Sequence, residues 1–549
     1  MPDATPAPRG PAPRPRARRV SLRTAAVALV VVNVFARTVR YGLGFPIWGD
    51  EAFVAVNFLR RGFVELIAPL LYGQIAPLGY MWATLVATRL GGVNEWSLRL
   101  VSYLAGVASM LLFARFCWRQ LKPRVAVLAI AFFAGAVLPI RHAAELKPYA
   151  SDVLLALAVT TGAVWVSAAP RAAGRWVALT LLASAAVWCS YPVAFVVAGV
   201  ATVLLVRVAR LRAAPALAGW VVFSSAVAAS FAAMVVLYAQ PHAEAAAGLV
   251  DIEMWKRAFP PTDEWWKFPA WLVLIHTGNM FAYPAGGPNG ASTATFVLFL
   301  IGCGYVWRAR RDLFWLLLSP LPFAFVAALL KRYPYGGQTR TSLFLAPLIC
   351  FMAGAGLFAV LVWLRRIPAL RTEFSRRVTI AVIPRVALAF ALLPLIMALR
   401  DFARPYKDEF VRRSREVADG IAAAAGAADP IIVFNALEKS AHGPWLGDWR
   451  GTGAQFVFDM LRLPRAPVSW APAPNDVAVP PHGRLHLVAY RGVKVEFPQA
   501  QFDAYRAALA ERFGPAEHTW FQLKLDDGRA EGVDWYVFPR IPATSPSDR

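Results

Sequence analysis

Eleven separated apolar runs, most of them close to 20 residues long, constrain this chain more than any other feature. A helix rising about 1.5 Å per residue needs about 20 apolar residues to cross a hydrocarbon core ~30 Å thick. The runs are Leu22–Val39, Ser97–Phe116, Val125–Ile140, Tyr149–Ala168, Trp176–Cys189, Pro192–Val206, Ala216–Tyr238, Ala291–Trp307, Leu313–Leu330, Thr341–Leu364 and Thr379–Leu399. Apolar residues make up 58% of the 549 and charged residues 16%, against the 45–50% and roughly 25% usual for soluble domains. These proportions exclude an ordinary soluble enzyme, a disordered protein and a disulfide-built secreted module. The expected fold is a polytopic α-helical membrane protein with about eleven transmembrane helices. The run starting at Leu22 lacks a small-x-small cleavage site and precedes further spans, so it reads as an uncleaved first helix rather than a leader. Two shorter, interrupted stretches, Ile75–Leu90 and Phe268–Tyr283, read as helices at the interface or against the bundle.

The net charge of +24 points away from nucleic acid once its placement is considered, because the cations gather in short loops between apolar runs. With the N-terminus in the cytoplasm, every even-numbered span is followed by a basic inside loop. Arg115, Arg119, Lys122 and Arg124 follow the second span, Arg171 and Arg175 the fourth, and Arg207, Arg210 and Arg212 the sixth. Arg308, Arg310 and Arg311 follow the eighth, and Arg365, Arg366, Arg371, Arg376 and Arg377 the tenth. The longer outside segments carry most of the acids. Joining the runs on either side of Ser190-Tyr191-Pro192 into one kinked helix would reverse every later loop, so they count as two.

Residues 1–21 form a basic Pro- and Arg-rich tail without the means to bury a core. Residues 22–400 hold the spans, with an outside loop carrying juxtamembrane helices at 41–96, and 401–549 form a small outside α/β domain. Within that domain Ile431–Phe434, Leu485–Tyr490 and Trp535–Phe538 read as strands and Phe502–Phe513 as a helix. It carries no nucleotide-binding glycine loop and no nucleophile elbow, so stability or substrate guidance is its expected role. Cys117, Cys189, Cys303 and Cys350 lie in or beside apolar runs without metal-ligand spacing and read as small buried hydrophobes.

Three charged segments stand out because the topology puts them all at the outer ends of spans. The first is Trp48-Gly49-Asp50-Glu51-Ala52-Phe53; acids in a first helical turn also complement the helix dipole. The second runs from Arg141-His142 through Glu145, Lys147 and Tyr149 to Asp152, with Pro148 suited to a helix start. The third is Lys331 to Arg340, rich in Tyr and Gly. Acids from one loop and cations from two others then converge above an apolar bundle. This arrangement suits a phosphate carried on a lipid: the cations hold the phosphate and an acid takes a proton from an incoming hydroxyl or amine.

These segments, in this order, resemble the bacterial GT-C membrane glycosyltransferases related to the protein O-mannosyltransferases and the lipid A aminoarabinose transferase, glycosyltransferase family 39. The resemblance spans about residues 20–400. It rests on Trp48–Phe53, Gln74-Ile75-Ala76-Pro77-Leu78-Gly79-Tyr80, Asn94-Glu95-Trp96-Ser97-Leu98-Arg99-Leu100, Glu145–Tyr149, and Tyr333-Pro334 through Arg340 to Leu343-Phe344-Leu345-Ala346-Pro347. It implies a GT-C-like bundle that transfers a hexose or pentose, with inversion, from a polyprenyl-phosphate donor to an envelope glycan, lipid or protein. The expected place is the external face of a bacterial inner membrane. By that resemblance the catalytic acids are Asp50, which is the general base or orients the acceptor, its neighbour Glu51, and Glu145, the second-loop acid. Lys147 and Arg340 are the choices for the donor phosphate, with Arg141, His142 and Tyr149 in support. No cofactor is required by the pattern; Asp50, Glu51 and Glu145 are the candidate ligands should a divalent metal take part. The aminoarabinose transferases carry a Lys before paired prolines where this chain has Gln74 and a single Pro, so that phosphate contact comes from elsewhere or is weaker.

The alternative is a multi-spanning transporter or flippase of lipid-linked sugars. Transporters place ionisable groups near the bilayer midplane, whereas these charges collect at one surface.

Overall fold

The computed structural model describes residues 21–246, 256–364, 366, 376–407, 409–426, 429–434, 454–462, 468–470, 473–478, 483–491, 497, 499–526 and 529–539. Among the described residues eight helices are long and apolar enough to cross a membrane: Leu22–Gly42, Glu95–Gln120, Tyr149–Ala168, Val193–Leu211, Ala214–Ala245, Arg311–Leu329, Arg340–Leu364 and Val382–Ala403. The other three of the eleven expected spans are shorter apolar helices, Pro123–Ala134, Ala173–Cys189 and Thr293–Ala309. The tail before Ser21 and the cluster at 367–375 lie outside the described residues.

Small residues let the central helices approach closely. A side chain on Gly302 would meet the Met352 carbonyl, one on Gly356 the Leu298 carbonyl, and one on Gly354 the backbone of Ala129. Such contacts bring backbones together where lipid provides no hydrophobic drive for helix association. Every residue of Val125–Ala134 is buried, so this short helix runs through the middle of the bundle.

The expected span Val125–Ile140 breaks after Ala134 and resumes as Val137–His142. A break inside a bundle frees carbonyls that must find donors. Asn33 donates to the Ala134 carbonyl at 2.8 Å, and the Arg37 guanidinium donates to the Pro139 carbonyl and to Asn33 Oδ1, each at 2.8 Å. Arg37 is therefore a buried charge on the first span that serves the broken helix. Arg40 pairs with Asp401 at 2.6 Å and joins the first span to Leu392–Ala403. At the Pro192 break, one helix ends at Cys189 and the next starts at Val193, with Ser190 extended between them.

The C-terminal residues build a five-stranded sheet in the order β2-β1-β3-β5-β4. The strands are β1 Ile431–Phe434, β2 Val468–Trp470, β3 Leu485–Arg491, β4 Glu517–Asp526 and β5 Arg529–Phe538. β1 pairs in parallel with β2 and β3, while β5 pairs antiparallel with β3 and β4. Side chains alternate between faces along each strand. Ile431, Val433 and Val488 pack with Ala418, Ile421, Phe456 and Met460 on one face. Ile432, Leu487 and Ala489 pack with Phe502 and Leu509 on the other. The three expected strands and the helix are present, the latter as Gln499–Phe513. β2, β4 and the helices Glu409–Ala424 and Ala454–Leu461 complete the unit.

This unit sits against the helix carrying Asp50. Phe458 is fully buried in one cluster with Phe53, Val54 and Leu146. Glu95, in the first turn of Glu95–Gln120, accepts from Arg415 at 2.9 Å and from Arg462 at 2.7 Å. Asp459 pairs with both arginines, at 3.1 and 3.4 Å.

Candidate active site

Trp48 caps the short helix Gly49–Ala55, so Asp50 and Glu51 fall in its first turn. Successive helical residues point about 100° apart, and these two carboxylates meet different partners. Glu51 is fully buried. Its Oε2 pairs with Arg99 Nη2 at 2.5 Å, and its Oε1 accepts from Arg99 Nε at 2.8 Å and from the Leu146 N–H at 2.6 Å. Arg99 also donates to the Phe45 carbonyl. This acid therefore ties three segments together: the Asp50 helix, the Glu95–Gln120 helix and the loop before Tyr149.

Asp50 keeps 20% of its side chain exposed. Oδ1 lies 3.0 Å from Lys147 Nζ and Oδ2 2.8 Å from Arg340 Nη1. Burial alone would raise its pKa, but the charges of Lys147 and Arg340 outweigh burial and hold it below the ordinary value. Both cations are oriented from behind. Gln74 Oε1 accepts from Lys147 Nζ at 3.1 Å, and the Lys147 carbonyl accepts from Ser102 Oγ at 2.9 Å. Gln338 Oε1 accepts from Arg340 Nε at 2.7 Å. Gly336 and Gly337 adopt positive φ, 73° and 64°, in the turn that delivers Arg340 to its helix.

Glu145 forms a second acidic position. Arg141 Nε donates to its Oε1 at 3.0 Å, and His142 Nδ1 lies 2.7 Å from its Oε2. Desolvation would raise this carboxyl; the charge and hydrogen bond of His142, then Arg141 and Lys407, hold it well below the usual carboxylate range. Tyr149 stands at the start of the next helix with its ring edge-on to His142, centroids 5.2 Å apart.

All eight residues singled out from the sequence thus gather at one end of the bundle, around two acids rather than three. Arg141 and His142, expected to support the donor phosphate, sit on Glu145, and Glu51 is wholly engaged with Arg99 and Leu146. The donor set does not fit a divalent cation. Each oxygen of Asp50, Glu51 and Glu145 already faces a cation, a histidine nitrogen or a backbone N–H. Among the described residues no group of three His, Cys, Asp or Glu side chains is placed to hold a metal.

Three participants were not assigned a site role from sequence. Gln74, noted there as a departure, holds Lys147. Arg99, within the Asn94–Leu100 motif, anchors Glu51, and its spacing of four from Glu95 placed both on one helical face. Lys407 reaches the cluster from the segment after the last span, its ammonium over the Trp48 ring; no sequence spacing links it to the other charges.

No protein-family model matches the chain. No curated protein matches it either. Solved structures do. ArnT of Cupriavidus metallidurans, an aminoarabinose transferase, in its apo state superposes with a TM-score of 0.52 at 15% identity, over 94% of this chain and 98% of that one. The same enzyme bound to undecaprenyl phosphate gives 0.50 at 14% identity, over 92% and 97%. The Archaeoglobus fulgidus oligosaccharyltransferase in complex with zinc and sulfate gives 0.45 at 12% identity, over 92% and 72%. An end-to-end match to the ArnT structures, together with the apolar helices and the appended sheet, makes this chain a multi-pass membrane protein with the GT-C glycosyltransferase fold.

Proposed function

We propose that this protein is a glycosyltransferase that moves a sugar from a polyprenyl-phosphate donor to an envelope glycan, lipid or protein. The reaction takes place at the external face of a bacterial inner membrane, with inversion at the anomeric carbon. The carrying observation is Asp50 held between Lys147 and Arg340 at the mouth of an apolar bundle. The neighbouring ArnT structure was solved with undecaprenyl phosphate, which supports a carrier lipid of that class here.

A carboxylate pressed by two cations is a weak base, because efficient proton transfer needs a pKa nearer the working pH. The donor phosphate changes this. It draws Lys147 and Arg340 onto its own oxygens, where charge-assisted hydrogen bonds are strongest. The Asp50 carboxyl then rises toward its ordinary value and accepts the proton of the acceptor hydroxyl or amine. The acceptor oxygen or nitrogen bonds to the anomeric carbon as the bond to the phosphate oxygen breaks, and the leaving electron pair stays on the phosphate. Fixed cations stabilise that developing charge without reorganising. Glu145, Arg141 and His142 flank the path as a second polar position, suited to orienting donor or acceptor.

Incubating the purified protein with labelled polyprenyl-phosphate sugars tests this reading. Release or transfer of the label supports it, and Asp50→Asn abolishes turnover by a factor of about 100 or more while the protein still inserts and folds. Movement of intact donor across vesicles without turnover would instead favour a transporter. Full activity in Asp50→Asn would remove Asp50 as the base.

A further inference from the structure

The cations around the acid pocket outnumber its carboxylates. Asp50 faces Lys147 and Arg340, Glu51 faces Arg99, and Glu145 faces Arg141. Lys407 makes no ion pair with a carboxylate among the described residues; its ammonium lies over the face of the Trp48 ring. That ring belongs to the residue capping the Asp50 helix, two positions before Asp50 itself. Lys407 feels Arg141 from the last turn of Val137–His142, Glu145 from the loop after it, and Glu51 and Asp50 from the helix beneath Trp48. Among the described residues this half-buried cation has an aromatic platform and no carboxylate in ion-pair contact, so cations outnumber acids beside Asp50. Such an arrangement awaits an anion.

We propose that Lys407 is a further phosphate-binding residue, which closes over the carrier-lipid phosphate from the segment linking the last span to the C-terminal sheet unit. The proposal rests on the glycosyltransferase reading above and adds a ligand from beyond the spans. Lys147 and Arg340 grip the phosphate from the Asp50 side, while Lys407, next to Trp48, reaches it from the roof. Cation–π contact holds the ammonium in place without neutralising it. Burial, then the charge of Arg141, lowers the Lys407 pKa to about 7, so near neutral pH an arriving anion also draws a proton onto it.

The test uses the full-length protein in detergent, with decaprenyl phosphate as the probe and neutral decaprenol as its control. Lys407→Gln weakens decaprenyl phosphate binding about ten-fold or more, as expected for a charge-assisted hydrogen bond, and leaves decaprenol binding unchanged. Lys407→Arg retains tight binding. Equal affinity for the phosphate in wild type and Lys407→Gln overturns the proposal. So does a matching loss for decaprenol, which marks a structural role. Absence of any phosphate-dependent binding in the wild type refutes the glycosyltransferase reading itself. Should Lys407→Gln not fold, the comparison of wild type with Lys407→Arg decides. As pH rises from about 6 to about 8, wild-type affinity falls relative to the arginine variant, which keeps its charge throughout. Asp50, Glu51, Glu145, Arg141, His142, Lys147 and Arg340 are common to both proteins, as is the second ionisation of the lipid phosphate, so parallel curves overturn the proposal.

Discussion

Glu51→Gln separates a structural acid from a catalytic one. Glu51 is fully buried, its Arg99 partner is 4% exposed, and both carboxylate oxygens are hydrogen-bonded. Removing one charge of such a pair strands the other in a dry site, which costs about 3–5 kcal/mol. Glutamine can still accept from the Leu146 N–H, so the lower end, about 3 kcal/mol, is the expected cost. At about 1.4 kcal/mol per factor of ten, the folded-to-unfolded ratio falls by a factor of about 100. The assay is heat-induced loss of folded monomer in detergent, followed for Glu51→Gln, Arg99→Met and the Glu51→Leu/Arg99→Met double variant. Each single variant loses the folded state faster than the parent. The double variant is more stable than either single one, because no charge is left unpaired in it. A Glu51→Gln protein as stable as the parent but inactive would refute this argument and return Glu51 to the catalytic set. So would a double variant whose loss equals the sum of the two singles.

Two further outcomes are expected. Glu95→Gln leaves Arg415, Arg462 and Asp459 without the acid at their centre, so limited proteolysis cleaves the C-terminal unit faster while the spans stay protected. Glu145 is held below its usual pKa in the folded state, so its contribution to stability is complete above the unfolded value of about 4.3 and disappears as pH falls through the folded one. Thermal melts of Glu145→Gln between neutral and acid pH therefore show a shallower acid decline than the parent.

Much of the membrane architecture was legible because burial in lipid leaves a coarse mark: long apolar runs with basic short loops. The gathering of Asp50, Lys147 and Arg340 followed from placing their loops on one side of the bilayer, without knowledge of any contact. What escaped was set by local geometry. Glu51 read as a catalytic neighbour of Asp50, yet one step along a helix turns it toward Arg99. Val125–Ile140 read as one span; its interruption depends on Asn33 and Arg37 supplying donors from another helix, over a hundred positions away in the case of Asn33 and Ala134. Lys407 carried no signal, since a lone lysine after the last span resembles any solvated residue until the chain folds back onto Trp48. β4 escaped because its apolar alternation is confined to Phe521, Leu523 and Leu525, after a polar start at Glu517, His518 and Thr519.

Glu95 and Arg99 stand one helical turn apart at the head of the same long helix. The first grips arginines of the C-terminal unit and the second grips the acid beside Asp50. A single stiff turn about 6 Å long thus serves as a crossbar between two bodies that share no strand. A load placed on the sheet unit therefore has a short, stiff route to the helix that carries Asp50.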